Sequence, residues 1–454
     1  MKNKIVFFFK NILSKFGVDK AILFTSLSRV VQALGGFVTV FLIATFMSKE
    51  EQGFYYTFAS VLAIQIFFEL GLGGIINQFV AHEMAHLNFK TSTEIEGKPE
   101  NISRLSSLLH FCLKWYVILA LLLFVTLLIV GFTFFNKYGS SYPLVKWQIP
   151  WVVISIGGSL NLLMSPWMAV LQGMNKVKEM ARIALIQQLI VMAVTWISLA
   201  LGAKLYIAAI NSMTSFIVML FLYGRTDYPT LLYNTFKNNI KEKISYIDEI
   251  FPLQWKIALS WMSGYFIFQL FNPILFAYSG PVIAGKMGMT LTILSAILGF
   301  TLSWTTTKIP SWSMLIAIKD YSTLDISYKK VLKDSTLVSS LAIIAGLIFL
   351  TIISFLELKL SDRFLPVWLC AILFLTIPLN NIVNVWATYL RCHKKEPFLV
   401  QAIIIGILCG ISTFLTGKFI GVTGVVIGYS TIILFVNIPL SYYIFRTKKL
   451  EYHG

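Results

Sequence analysis

Charge is scarce in this chain. Of 454 residues only 13% are Asp, Glu, Lys or Arg, about half the share of an ordinary soluble domain. Acidic residues are scarcest, 20 against 37 lysines and arginines, with only five histidines and four cysteines. Hydrophobic residues make up 57% and the mean hydropathy is +0.78. That combination excludes a water-soluble globule, and it excludes disorder, which needs low hydrophobicity. Cys112, Cys370, Cys392 and Cys409 lie in or beside apolar runs without a CxxC spacing. They read as small hydrophobes, not as disulfides or metal ligands. The run Val6–Phe9 is too short for a signal-peptide core, and no small-residue cleavage site follows it. Residues 1–20, basic and partly apolar, read instead as an interfacial helix on the cytoplasmic membrane surface.

What the chain does have is apolar runs of membrane-spanning length, about 20 residues each. They fall at about 21–46, 54–80, 112–135, 149–171, 183–202 and 204–224, then 257–278, 285–316, 336–356, 366–390, 398–416 and 419–445. This predicts an all-α polytopic membrane protein of about 12 transmembrane helices, with a polar linker at 225–256. The loops decide the orientation. Those on the side of the termini carry 26 of the lysines and arginines and those on the other side carry 8, which places both termini in the cytoplasm. The same asymmetry accounts for most of the +17 net charge without a nucleic-acid partner. No loop is large enough for a catalytic domain, so function is expected inside the membrane.

The two halves echo each other. Leu27-Ser28-Arg29-Val30 aligns with Leu259-Ser260-Trp261-Met262, and at the same shift Gly53 meets Gly285. Further on, Trp167, Leu171 and Lys176 align with Trp386, Leu390 and Lys395, and Leu201–Lys204 with Thr416–Phe419. Six spans per half make this a parallel internal repeat, a transporter plan with the substrate site between the halves. The expected units are an N-terminal six-helix lobe (1–224), a cytoplasmic linker (225–256) and a C-terminal six-helix lobe with a short tail (257–454).

Leu27-Ser28-Arg29, Leu34-Gly35-Gly36, Met47–Tyr55, Phe68–Gly73 and Asn175-Lys176 together resemble the bacterial polysaccharide-repeat (O-antigen and capsule) flippases. These belong to the multidrug/oligosaccharidyl-lipid/polysaccharide exporter superfamily. The resemblance covers the first ~200 residues. It implies two lobes around a central cavity, alternating access, and an inner-membrane location. The implied cargo is an undecaprenyl-pyrophosphate-linked oligosaccharide. The bilayer and the polysaccharide polymerase and assembly proteins are the implied partners. No cofactor is expected; coupling to Na+, H+ or the membrane potential stays open.

A charge inside the bilayer costs about 2.5–3.5 kcal/mol on insertion scales and so marks function by default. Arg29, Glu69 and Lys308 fall roughly 13–17 Å from the cytoplasmic boundary. Arg29 and Lys308, one per lobe, are the candidate cations for an anionic headgroup. Glu69, the sole acid within a span, either lines the cavity or pairs with Arg29. Lys114 starts a helix and snorkels. Candidate polar and aromatic lining residues are Gln32, Gln65, Asn77, Asn161, Asn272, Asn381, Trp261 and Trp304, with Gln187, Asn380 and Asn384 also within spans. Interhelical hydrogen bonding and lipid-facing rings are the structural alternative for each. Pro166, Pro273, Pro310 and Pro378 are candidate kinks.

Three other readings compete. A cation-coupled multidrug exporter of the same superfamily should carry cavity carboxylates, and the spans hold only Glu69. His82-Glu83-Met84-Ala85-His86 fits HExxH, two zinc ligands one turn apart with a general base between them, but no span supplies a third ligand. A glycan polymerase or ligase needs a large outer loop bearing carboxylates or His, whereas Glu50, Glu51, Glu357 and Asp362 sit in short turns. A transporter, not an enzyme, is the expectation.

Overall fold

The computed structural model describes residues 20–393 and 395–453, with side chains for all of these except 20–30, 33, 34, 253 and 317. The expected interfacial helix at 1–20 lies outside the described residues, apart from Lys20. All twelve expected spans are helical. Spans 1–6 are Lys20–Phe46, Lys49–Glu69 with Leu72–Met84, Pro99–Tyr138, Gln148–Gly173, Val177–Ala200 and Tyr206–Gly224. Spans 7 and 8 are Phe251–Phe268 with Phe271–Ser279, and Pro281–Thr306 with Ile309–Ala317. Spans 9–12 are Tyr321–Phe355, Val367–Arg391, Leu399–Phe419 and Val422–His453. Among the described residues nine helices are long and apolar enough to cross a membrane, ten with the bent pair of span 2.

Local chemistry sets where helices start and break. Span 2 opens on a capping box: the Glu51 N–H donates to Ser48 Oγ (3.1 Å) and the Ser48 N–H donates to Glu51 Oε2 (2.9 Å). It bends by 42° where Leu70 (φ 49°) and Gly71 (φ 72°) adopt left-handed backbone. Three of the four intraspan prolines sit just past a helix end. A proline cannot donate to the carbonyl four residues back and crowds it. Accordingly helices stop at Phe268 before Pro273, at Thr306 before Pro310 and at Phe374 before Pro378. Pro166 stays within an unbroken helix.

Spans 1–6 pack on one another, as do spans 7–12, and the two groups meet through spans 1 and 2 against spans 7 and 8. The connections gather at two ends. The linker end holds a feature not expected from sequence, an antiparallel hairpin of Leu87–Phe89 with Ile95–Gly97. It also holds a short helix, Tyr228–Phe236, and the turn Tyr246–Ile250. The opposite, far end holds 47–49, 279–281 and 356–366. Most of the core is one cluster spanning both groups. A second, aromatic cluster of Trp312, Tyr328, Trp386, Tyr389 and Phe445 lies at the linker end of the second group.

Candidate functional site

The groups seal against each other at the far end. Gly53 and Gly285, equivalent positions of the repeat, stack face to face. A Cβ on Gly53 would run into the Pro281 carbonyl, and one on Gly285 would lie 2.9 Å from the Gly53 nitrogen. Only glycine permits backbones this close. Gln52, 1% exposed, donates from Nε2 to the Gly285 carbonyl (2.8 Å) and to the Arg363 carbonyl (3.2 Å). Arg363 donates in return to the Met47 carbonyl (2.6 Å) and to Gln52 Oε1 (3.3 Å). Burial draws its guanidinium below the ordinary arginine range. Lys49 pairs with Asp362 at 3.0 Å and holds that carboxyl below its usual range. Deeper in, Asn272 Nδ2 donates to Ser60 Oγ (3.1 Å), and Phe54 meets Phe276 edge to face at 4.8 Å.

Toward the linker end the same surfaces part. On span 8 the face carrying Gly285, against Gly53, and Gly288, against Tyr56, recurs every seventh residue. It continues at Ser295, Gly299 and Thr306. Ser295 and Thr306 are exposed, and a Cβ on Gly299 would meet nothing within 4 Å. Span 1 shows the same change: Val40, Ile43 and Met47 are buried, but a Cβ on Gly36 would meet nothing within 4 Å and Gln32 is exposed. Spans 2 and 7 stay in touch lower down, with Phe67 against Tyr265 (4.9 Å) and Gly71 against Ile257 and Trp261. The two groups thus meet at the far end and along spans 2 and 7, and the linker-end stretches of spans 1 and 8, with their exposed faces, are the candidate walls of a cleft.

Two of the charged candidates, Arg29 and Lys308, lie on the linker-end stretches of spans 1 and 8. Arg29 is on span 1, about 10 Å of helix beyond Gly36; its side chain is outside the described residues. Lys308 sits at the break in span 8, exposed. About 40 Å of helix separates it from Pro281, more than a hydrocarbon core of about 30 Å, so Lys308 lies toward the linker end and not at the mid-depth expected from sequence; the span starts further out and runs longer than a minimal one. Glu69 is half-buried at the bend of span 2. It accepts a 2.7 Å hydrogen bond from Ser165 Oγ, with the buried, unbonded Tyr116 hydroxyl close by.

The polar candidates divide. Asn272 bridges the two groups. Asn161 is engaged within the first group, with the Gly157 and Ser212 carbonyls. Asn381 is engaged within the second, with Ser335. Asn77 reaches Gln172 at 3.4 Å. Gln65 is half-buried in the turn Ala63–Gln65, Trp261 is 48% exposed, and Trp304 is half-buried edge-on to Phe300. In the HExxH segment, Glu83 is 2% exposed and its oxygens accept from Arg104 and Asn101, while the His82 side chain is 78% exposed. Among the described residues no three His, Cys, Asp or Glu side chains gather as a metal site. Sequence reasoning missed Gln52 and Arg363; the Gly53/Gly285 echo marked the neighbourhood, but nothing local marked Arg363.

A family model described as polysaccharide biosynthesis protein matches residues 18–316, well over half of the chain, including spans 1, 2, 7 and 8 that frame the cleft. The chain belongs to the polysaccharide biosynthesis protein family. Several solved structures share this family member's fold across nearly their whole length. One is the inward-facing conformation of a multidrug resistance MATE family transporter of the MOP superfamily. It is 13% identical, with TM-score 0.70, and the match covers 94% of this chain and 99% of that one. The outward-facing conformation of a MATE family transporter gives 14% and 0.63, with 96% of each chain covered. A MOP superfamily transporter from Pyrococcus furiosus Vc1 gives 14% and 0.58, with 95% of each covered. A search of curated proteins gives no match. The predominantly helical fold is therefore that of the MOP superfamily.

Proposed function

We propose that this polysaccharide biosynthesis protein is a flippase. It moves undecaprenyl-pyrophosphate-linked oligosaccharide units from the inner to the outer leaflet of the bacterial cytoplasmic membrane by alternating access. The observation that carries this reading is that the two groups meet tightly at the far end, whereas the linker-end stretches of spans 1 and 8 present exposed faces; we read these as a slot open sideways between the two spans. A substrate with a membrane-embedded tail needs such a slot, because its headgroup must enter while its tail stays in lipid. The positive-inside asymmetry puts the linker end and the termini in the cytoplasm, so the open side faces the leaflet where lipid-linked units are made. A pyrophosphate carries at least two negative charges, and amides alone cannot offset their desolvation. Arg29 and Lys308, one per lobe on the open stretch, supply fixed positive charge, and an arginine fork grips phosphate oxygens bidentately. The lobes correspond to 1–224 and 257–454, joined by the 225–256 linker.

The competing reading is a cation-coupled multidrug exporter, suggested by the MATE transporters that share the fold. The charge balance favours the anionic substrate, since Glu69 is the sole acid expected within a span, against Arg29 on span 1 and Lys308 at the linker-end break of span 8. The deciding experiment is gene deletion with complementation. The flippase reading expects surface polysaccharide to vanish and lipid-linked units to accumulate facing the cytoplasm. A mutant that keeps its polysaccharide and becomes drug-sensitive overturns it.

A further inference from the structure

The HExxH segment has a second use. Glu83, at the end of span 2, is 2% exposed, and a buried carboxylate must be paired. Its partner is Arg104, near the start of span 3, which donates from Nε to Glu83 Oε1 at 2.9 Å. Asn101 Nδ2 donates to the other oxygen at 2.6 Å, and His82 Nδ1 stands 4.0 Å away. The second face of the Arg104 guanidinium leaves this group: Nη2 donates to Glu249 Oε2, in the linker between the lobes, at 2.5 Å. Glu249 Oε1 accepts from the Ser245 N–H (2.9 Å).

The rest of the linker is fastened to the same lobe. Ser103 Oγ accepts from the backbone N–H groups of Lys241 (2.7 Å) and Glu242 (2.8 Å) and donates to the Glu242 carbonyl. Ser106 Oγ lies 3.1 Å from the carbonyls of Phe236 and Asn238, and Ser107 Oγ accepts from the Ile244 N–H. His110 stacks on Phe236 at 3.6 Å, and Asn234 donates to the Thr93 carbonyl of the hairpin. Toward the second lobe the linker runs into the first turn of span 7, which begins at Phe251, inside the expected 225–256 linker; there Tyr246 meets Phe251 ring to ring at 6.2 Å. Tyr246 stacks against Phe111 of span 3 and donates from its hydroxyl to Gln254 of span 7 at 2.7 Å.

We infer that Arg104 is a positioning residue that straps the interlobe linker to the N-terminal lobe, so that the lobes rock about a pivot at the start of span 7, by Tyr246, Phe251 and Gln254. This rests on the alternating-access reading above. A strapped linker travels as part of the first lobe and holds the start of span 7 at a fixed place beside span 3. A slack linker would let the second lobe wander, and the far-end seal at Gly53 and Gly285, which tolerates no added atom, would re-form inefficiently.

The test uses disulfides in the full-length protein in cells. Ser107→Cys with Ile244→Cys ties the linker to the first lobe. Lys49→Cys with Asp362→Cys ties the two lobes at the far end. Oxidation of the first pair is expected to leave export within about twofold of the reduced protein; oxidation of the second is expected to stop export until reductant is added. Arg104→Ala is expected to lower export about tenfold at normal protein level, and the oxidised Ser107→Cys/Ile244→Cys pair placed in that background is expected to restore it. Export lost on oxidising the first pair, or full export by Arg104→Ala, overturns the strap. Should Arg104→Ala fail to accumulate, the first pair in the otherwise unchanged protein decides alone. A second pair that leaves export untouched when oxidised overturns alternating access itself, a different outcome from a failed strap.

Discussion

At the scale of single residues, the cleft concentrates its consequences in a few side chains. A charged hydrogen bond to phosphate contributes about 1.5–3 kcal/mol. Arg29→Ala and Lys308→Ala are each expected to reduce export by roughly tenfold or more, with protein levels unchanged in a quantitative immunoblot. Arg29→Lys should recover only part, because an ammonium lacks the planar fork. Glu69→Gln separates its two readings. If Glu69 neutralises Arg29, the Arg29→Ala protein should be poorly folded and the double variant should recover. If Glu69 is held by Ser165 alone, protein level should stay normal in all three. Gly53→Ala tests the seal. The added methyl meets the Pro281 backbone, not a movable side chain, so the far end should gape. Overpacking of this kind costs about 1–3 kcal/mol. Cysteines placed near Gly285 should then become more reactive to a membrane-impermeant maleimide.

At the scale of elements, the ends of helices hold the titrating groups. The C-terminal helix closes on an aromatic platform: His453 stacks on Tyr321 at 4.0 Å, and its Nε2 lies 3.3 Å from the Tyr389 hydroxyl. His393 lies 5.4 Å from His453, ring to ring, and packs on Tyr452. Asp325 faces the same spot, bonded to Lys449 (2.6 Å) and Tyr389 (2.7 Å), with Lys395 over Tyr452. Burial lowers the pKa of both histidines below the usual value. A depressed folded-state pKa means the docked tail keeps its full stability above about pH 6.5 and loses it as pH falls through the lower folded values. The protection of residues 445–453 against hydrogen exchange is therefore expected to fall between pH 7.5 and 5.5, so that their exchange slows less than the intrinsic rate does. His393→Phe/His453→Phe should remove that loss of protection. The strap titrates lower. Burial raises the Glu249 carboxyl, but Arg104 and the Ser245 N–H outweigh it and leave a net lowered pKa. Its contribution should persist above about pH 4.3 and fade only as pH falls through the lower folded value.

At the scale of the whole molecule, orientation and conformation are joint predictions. Single cysteines at Lys241 and Lys448 should be blocked only by permeant reagents, and one at Lys359 by impermeant reagents. An impermeant label reaching Lys241 would reverse the orientation and with it the direction of transport. In the state described here a cysteine at Ser295 should be reached from the linker end and not from the far end. Substrate that drives the opposite state should exchange the two patterns.

The apolar runs that become the helical spans were legible in the sequence alone, because lipid forces each spanning segment to satisfy its own backbone and shows that requirement as unbroken hydrophobicity. The helix breaks at Pro273, Pro310 and Pro378 were equally legible, since proline acts on its own chain. The left-handed turn at Leu70-Gly71 was not, because leucine carries no such signal. Nor were the partners of polar residues. Asn161 and Asn381 look alike in sequence to Asn272, yet only Asn272 bridges the lobes, since a helix face acquires a neighbour only when the bundle closes. HExxH was set aside as metal chemistry for want of a third ligand, but nothing in the sequence showed that Glu83 would pair with Arg104 and that Arg104 would reach on to Glu249. Arg363 carried no mark at all: a loop arginine becomes the clasp on Met47 and Gln52 only because the repeat brings Gly53 onto Gly285. Local backbone rules and the solvent wrote the spans into the chain; which surfaces touch, and which part to leave a cleft, was decided by long-range packing that no window of sequence contains.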